Sequence, residues 1–186
     1  MKKTILSAIA LVCMLQFSSA QMKSNEVSVG CEAMYPAKNI IENAVNSKNH
    51  TTLVAAVKAA GLVETLQGKG PFTVFAPTND AFENLPAGTV DALLRPESKS
   101  KLTSILTYHV LAGKYDFNAL EKLIKEGKGM AVLQTVSGGK LTFMMNGPHN
   151  IILKDENGNV ANITVYDVMQ SNGVIHVIDS VVLPKM

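Results

Sequence analysis

Four histidines, His50, His109, His149 and His176, are the side chains here best suited to proton transfer or metal ligation near neutral pH. No two of them are spaced i, i+4, so no helical turn offers a pair to a metal. His109 and His176 lie among Val, Leu and Ile, which predicts buried imidazoles. A buried polar group left without a partner costs roughly 1–3 kcal/mol, so each ring should meet a specific donor or acceptor. Asp179 is the carboxylate near His176, but three residues along a strand reverses the face and the two cannot pair easily. There is no Gly-x-Ser-x-Gly elbow, His-Glu-x-x-His, Cys-x-x-Cys or Gly-x-x-x-x-Gly-Lys. Gly68-Lys69-Gly70 carries a fragment of a glycine loop, but a β-prone run follows it instead of a helix, so it reads as a turn. Asp155-Glu156 falls at an expected hairpin tip, where carboxylates are solvated. These patterns point to no catalytic residue, no metal site and no cofactor.

The 186 residues suffice for one domain with an ordinary core. Charged residues are 17% and apolar ones 47%, which excludes a disordered charged tail protein. Trp is absent and aromatics are 5%, so an aromatic-caged ligand site is not expected. Lys2 and Lys3 precede an apolar run from Ile5 to Phe17, and Ser18-Ser19-Ala20 follows with small side chains. This is the pattern of an export signal cleaved after Ala20. The run is shorter than the roughly 20 residues a membrane span requires, and no other segment reaches that length, so no transmembrane segment is expected in the mature chain. Removing Lys2 and Lys3 from 17 basic residues leaves 15 against 15 acidic ones. A neutral chain has no electrostatic attraction to phosphate backbones, so no nucleic-acid partner is expected. It also has little repulsion against self-association, consistent with a monomer or a weak homo-oligomer. Cys13 leaves with the signal, and Cys31 alone makes no internal disulfide. It reads as an incidental thiol, with an intermolecular crosslink as the alternative. Residues 21–35 read as a flexible polar lead-in, and 36–186 as a single domain.

Helical signals fill the first half. Ile40, Ile41, Ala44 and Val45 share a face, and so do Leu53, Val54, Val57 and Ala60 behind Thr51 or Thr52 as cap. Phe72 to Ala76 is strongly β-prone and Pro77 ends it. Thr78, Asn79 and Asp80 then start a short helix, with Asp80 and Glu83 spaced as a capping box. Helices follow near Thr89–Leu94 and Ser98–Thr107, then an extended Tyr108-His109-Val110-Leu111, then a helix behind Asp116. Strands dominate afterwards: 130–136, 140–145, 151–154, 160–165, 173–178 and 180–183, with hairpin signals at Gly138-Gly139 and Asp155-Glu156-Asn157-Gly158. Segregated helices and strands predict an α+β fold with mostly antiparallel strands. Asn49-His50-Thr51 and Asn162-Ile163-Thr164 match the N-glycosylation acceptor pattern, which has meaning only in a host that glycosylates.

Three segments in order resemble the signatures of the fasciclin domain: Thr73 to Phe82 with Thr78, Asn79 and Asp80; Tyr108-His109-Val110; and Asn172-Gly173-Val174-Ile175-His176-Val177-Ile178-Asp179 with its Val182-Leu183-Pro184 ending. The resemblance spans about 36–186 and is nearest to single-domain secreted bacterial fasciclin proteins. It implies a β-wedge or sandwich of mostly antiparallel strands with an adjacent helical cluster, and secretion or surface attachment. It also implies adhesion or partner binding and no known catalysis. On this reading Thr78, Asn79, Asp80, Tyr108, His109, Asn172, Gly173 and His176 specify the fold. Some animal relatives carry a Glu-Pro-Asp-Ile-Met-type adhesion motif before the last signature; here Val165-Tyr166-Asp167-Val168-Met169 keeps Asp167 and Met169 but lacks the Glu-Pro start. Asp167, Val168 and Met169 are therefore the candidate binding residues, an exposed charge beside apolar anchors.

The expected function is an exported, non-catalytic binding or adhesion module, secreted or periplasmic and cell-surface associated, with a protein or polysaccharide of the surface or matrix as partner. A small apolar-ligand carrier in the cell envelope is the alternative, since nine Met residues could line an adaptable pocket. An envelope enzyme would need His109 or His176 for activity.

Overall fold

The computed structural model describes residues 27–29 and 32–185. The expected signal 1–20 and Cys31 lie outside the described residues. Strands β1 (Val27–Val29) and β2 (Glu32–Met34) pair antiparallel. Val29 and Met34, inside the expected lead-in 21–35, are buried in the helical core, each strand ending in an apolar side chain that has a core to enter.

Asn39 caps α1 (Ile40–Ala44) in a capping box with Glu42. Two more helices follow, α2 (Thr51–Ala60), which Gly61 closes in the left-handed conformation at φ 74, and α3 (Val63–Gln67). After β3 (Phe72–Pro77) come α4 (Asn79–Glu83), α5 (Thr89–Leu94) and α6 (Lys99–Tyr108). Strand β4 (Val110–Ala112) and helix α7 (Phe117–Glu126) lead into the strand-rich half. It consists of β5 (Met130–Gln134), β6 (Lys140–Met145), β7 (Ile151–Lys154), β8 (Val160–Gln170) and β9 (Gly173–Ile178).

The seven-stranded sheet has the order β4-β3-β9-β8-β7-β6-β5. Only β3 and β9 run parallel. Beyond β5, Val136 N–H donates to Val110 O at 2.8 Å, so the sheet curls until its two edges nearly meet. The α+β, mostly antiparallel expectation holds. Two apolar clusters result. One fills the curled sheet, with Phe75, Tyr108, Leu120, Phe143, Ile163 and Ile178 among its members. The other lies between β3, β9 and the helices, with Val74, Ala76, Ile175 and Val177 facing Leu53, Val57 and Leu106. Strands β3 and β9 are thus covered on both faces, which is why they read as continuous apolar runs without alternation.

Several local readings differ in the structure, among them the strand expected over 130–136, which ends at Gln134. Tyr108 ends α6 and His109 follows as its C-cap, so the extended segment starts at Val110. Residues 180–183 form no strand, although Val181 and Val182 are buried; apolarity there reflects burial without a ladder. Strand β8 continues to Gln170 instead of stopping at Val165, because a bulge between Val165 and Val168 lets pairing resume. The cap of α4 is Thr78, whose Oγ1 accepts from Ala81 N–H at 3.3 Å, and not Asp80.

Phe72 lies opposite Gly173 in the parallel ladder. A Cβ on Gly173 would sit 2.1 Å from Phe72 O, so no other residue fits without parting the strands. Gly173→Ala is expected to lower stability by about 1–3 kcal/mol, read as a lower urea midpoint; an unchanged midpoint would contradict this close approach.

Candidate functional site

The first and last motifs are one place in space, since β3 and β9 lie side by side with Phe75 opposite His176. Asn172 closes one end of that ladder. Its Oδ1 accepts from Ile40 N–H at 3.1 Å, and its Nδ2 donates to Leu66 O at 2.8 Å and Gly68 O at 3.0 Å. Its own carbonyl accepts from Phe72 N–H. One amide therefore joins α1, the end of α3 and β3. Asn79 does the same at the other end. Its Oδ1 accepts from Thr52 N–H at 3.1 Å and Thr51 Oγ1 at 3.2 Å, while Nδ2 donates to Lys48 O. The cap of α2 thus comes from another helix, and neither Thr51 nor Thr52 supplies it. Asp80 is exposed in the first turn of α4, where a negative charge suits the helix start.

Tyr108 is fully buried. Its hydroxyl donates to Lys140 O at 2.6 Å and accepts from Glu156 N–H at 3.3 Å, and burial pushes its pKa up to about 12. His109 Nδ1 is 2.8 Å from Ile105 O. A carbonyl only accepts, so Nδ1 carries the hydrogen and Nε2 is free to accept from Val182 N–H at 3.3 Å. Burial lowers its pKa to about 4 against the weaker opposing effect of the Ile105 carbonyl. His176 has the opposite tautomer: Nε2 donates to Tyr115 O at 2.8 Å and Nδ1 accepts from Asp167 N–H at 3.3 Å. Burial lowers its pKa too, with Asp167 and Asp116 opposing. Both rings are neutral bridges between one backbone acceptor and one backbone donor. The two histidines are not gathered into a shared cleft. Among the described residues no three His, Cys, Asp or Glu side chains could hold a metal ion.

Asp167, Val168 and Met169 differ from the exposed patch expected. Asp167 has φ 55 in the bulge of β8, beside His176. Its Oδ1 accepts from Phe117 N–H at 2.8 Å, so the carboxylate is engaged at the start of α7. Val168 is buried and Met169 half-buried. Asp155, read as a solvated turn residue, is buried instead. Its carboxylate accepts from the backbone N–H of Asn157, Asn159 and Leu183 and from Asn159 Nδ2, all within 2.9 Å. The Asp-x-Asn spacing is a legible Asx-turn signal; the tie to Leu183 has none. His50, buried with Nδ1 2.8 Å from Ser47 Oγ, and the buried Asn43–Gln170 amide pair also went unsignalled. His149 is exposed between β6 and β7.

Residues 48–184 match the family model described as the Fasciclin domain. The chain is 48% identical over 171 residues to Protein sll1483 of Synechocystis, covering 90% of this chain and 86% of that one. It is 34% identical over 150 residues to the transforming growth factor-beta-induced protein ig-h3 of Sus scrofa, covering 80% of this chain but 20% of that longer protein. Among solved structures, a FAS1 domain pair from the insect cell adhesion molecule Fasciclin I superposes with a TM-score of 0.69 at 19% identity. That match covers 85% of this chain and 57% of the insect one.

The lowered pKa of His109 sets a pH dependence. The folded value, about 4, lies below the ordinary 6.5, so the stabilisation is complete above pH 6.5 and declines as pH falls through the folded value. His50 and His176 shift the same way. Unfolding free energy should fall as pH drops from 6.5 to 5, with His109 contributing a slope that approaches about 1.4 kcal/mol per pH unit and His50 and His176 acting in the same direction. His109→Gln should be less stable at pH 7.5 and lose its share of that slope, measured by urea unfolding at stepped pH; a variant with the wild-type slope would refute the assignment.

Proposed function

Because the chain belongs to the fasciclin-domain family, we propose that it is an exported, non-catalytic binding module that adheres to a protein or polysaccharide of a cell surface or matrix. The observation that carries this reading is where the polar motif side chains point. Thr78, Asn79, Tyr108, His109, Asn172 and His176 all make hydrogen bonds to backbone groups inside the fold. These side chains are committed to shape, which leaves recognition to the outer surface. Both nitrogens of His109 and of His176 are occupied in this way, which weighs against either as a general base in an envelope enzyme.

The apolar-carrier alternative has less support. The apolar cavity between the helices and β3, bordered by Ile41, Val57 and Leu106, is about 60 Å³. An engineered cavity of about 150 Å³ is the size that accepts benzene, so this cavity has no room for a lipid chain without rearrangement. The groove of about 320 Å³ bordered by Leu85, Leu93, Ile105 and Leu183 is larger but carries Ser98 and Lys101 on its border.

The first twenty residues read as a cleavable export signal, which supports the exported part of this reading. Among the described residues no helix is long and apolar enough to cross a membrane. The intact mass of the protein recovered from envelope or medium should correspond to a chain starting at Gln21. That protein, immobilised, should retain a partner saturably from cell-envelope or matrix fractions at micromolar concentration. Retention of nothing above a denatured control would remove the adhesion reading.

A further inference from the structure

A basin of about 510 Å³ opens at the Asn172 end of the β3–β9 ladder, between the connection from α3 to β3 and the turn joining β8 to β9. Its size falls within the roughly 300–1,000 Å³ of small-molecule sites and exceeds what a lone inorganic anion needs. The floor is built rigidly. Asn172 holds it through three side-chain hydrogen bonds. A Cβ on Gly70 would lie 2.0 Å from Asn172 O, so no side chain can fill the floor without displacing backbone.

Lys69 and Lys114 border this basin from separate segments, and both are exposed. Neither has an ion-pair or hydrogen-bond partner among the described residues; the lysines in ion pairs there are Lys48, Lys122 and Lys125. The Gln67 amide and the Ser171 hydroxyl, also on the border, are equally uncommitted. No carboxylate and no aromatic ring lines the basin. Of the carboxylates near in sequence, Glu42 is engaged on Asn39 N–H, Asp116 on Ala119 N–H and Asp167 on Phe117 N–H, while Glu64, three residues before Gln67, is exposed and lies outside the lining.

We infer that this basin binds an acidic saccharide, with Lys69 and Lys114 holding its uronate carboxylate and Gln67 and Ser171 hydrogen-bonding its hydroxyl groups. Two ammonium groups with no internal counter-charge favour an anion, and the amide and hydroxyl groups match a polyhydroxyl ligand. A neutral sugar would find no aromatic platform to stack on. The inference narrows the partner of the binding module and rests on that reading for its use in adhesion, but occupancy of the basin is measured separately.

The test is a titration of the ¹⁵N-labelled chain, followed by its amide resonances, with trigalacturonate, maltotriose and inorganic sulfate. Trigalacturonate should give saturable shifts at Gly68–Gly70 and Ser171–Gly173 that weaken at high salt. The Lys69→Ala/Lys114→Ala pair should lower its affinity at least tenfold, and the milder Lys69→Gln/Lys114→Gln pair should do likewise. Lys101→Ala, exposed elsewhere, should leave it unchanged. Resonances distant from the basin report whether each variant is folded. Absence of saturable shifts, unaltered affinity in the folded double variants, equal binding of maltotriose, or equal binding of sulfate would each overturn the inference. Retention of an envelope partner without trigalacturonate binding removes this inference alone; trigalacturonate binding without retention removes the adhesion reading alone.

Discussion

The parallel ladder between β3 and β9 is the constraint on which the other elements depend. Its two strands are joined by the whole chain from 78 to 172, and α4 to α7 with β4 to β8 all lie inside that loop. Closing so long a loop costs about 4 kcal/mol of chain entropy. The ladder repays that several times over, because Val74, Phe75, Ile175, Val177 and Ile178 are all buried and each such side chain contributes roughly 1.5–3 kcal/mol. Burial on both faces is possible only because the helices cover one side and the curled sheet covers the other. The ladder and its two coverings therefore form together or not at all.

A buried parallel pair creates a difficulty at its ends, where helix termini converge with backbone groups that need partners. Asn172 and Asn79 meet it with the same chemistry. An amide side chain offers an acceptor and two donors in one plane, so it can take an N–H from one element and give N–H to a carbonyl of another. The histidines solve the related problem within the core. A neutral imidazole carries one donor and one acceptor on separate edges of the ring, suited to bridging Ile105 O to Val182 N–H, or Tyr115 O to Asp167 N–H. Protonation would turn the accepting nitrogen into a donor aimed at another donor. The low pKa of His109 and its geometry are two expressions of one environment.

What is legible in the sequence follows from how local its cause is. Hairpin turns at Gly138-Gly139 and Asn157-Gly158 need only residues at the turn itself, and the expected strands flank them. The continuous apolar run of β3 announces its burial. The end of α6 is not legible, because Tyr108 and His109 look β-prone yet are held helical by tertiary bonds to Lys140 and Val182. Asp155 is misread for the same reason: its fourth donor, Leu183 N–H, arrives from 28 residues away. Asp167 looks like a free recognition charge until the bulge of β8 turns it toward Phe117. Of the candidate residues, those with a fold role are legible from their apolar surroundings. The basin is invisible in one dimension, since Lys69 and Lys114 are distant in sequence and ordinary in type.

This division has a consequence for how function can vary on such a scaffold. Most motif side chains are committed to backbone hydrogen bonds, with exposed Asp80 the exception, so the motifs say more about the fold than about the ligand. The two ends of the ladder are also unequal. The Asn79 end is engaged with α2 and the loop at Lys48, whereas the Asn172 end opens into the basin. As a framework residue, Asn172 borders that basin with its side chain already committed to Ile40, Leu66 and Gly68, so its replacement would disturb the fold and the basin together. Lys69, Lys114, Gln67 and Ser171 stand on that framework without supporting it, so exchange of these four side chains could retune the charge and hydrogen bonding of the surface while the ladder beneath stayed intact.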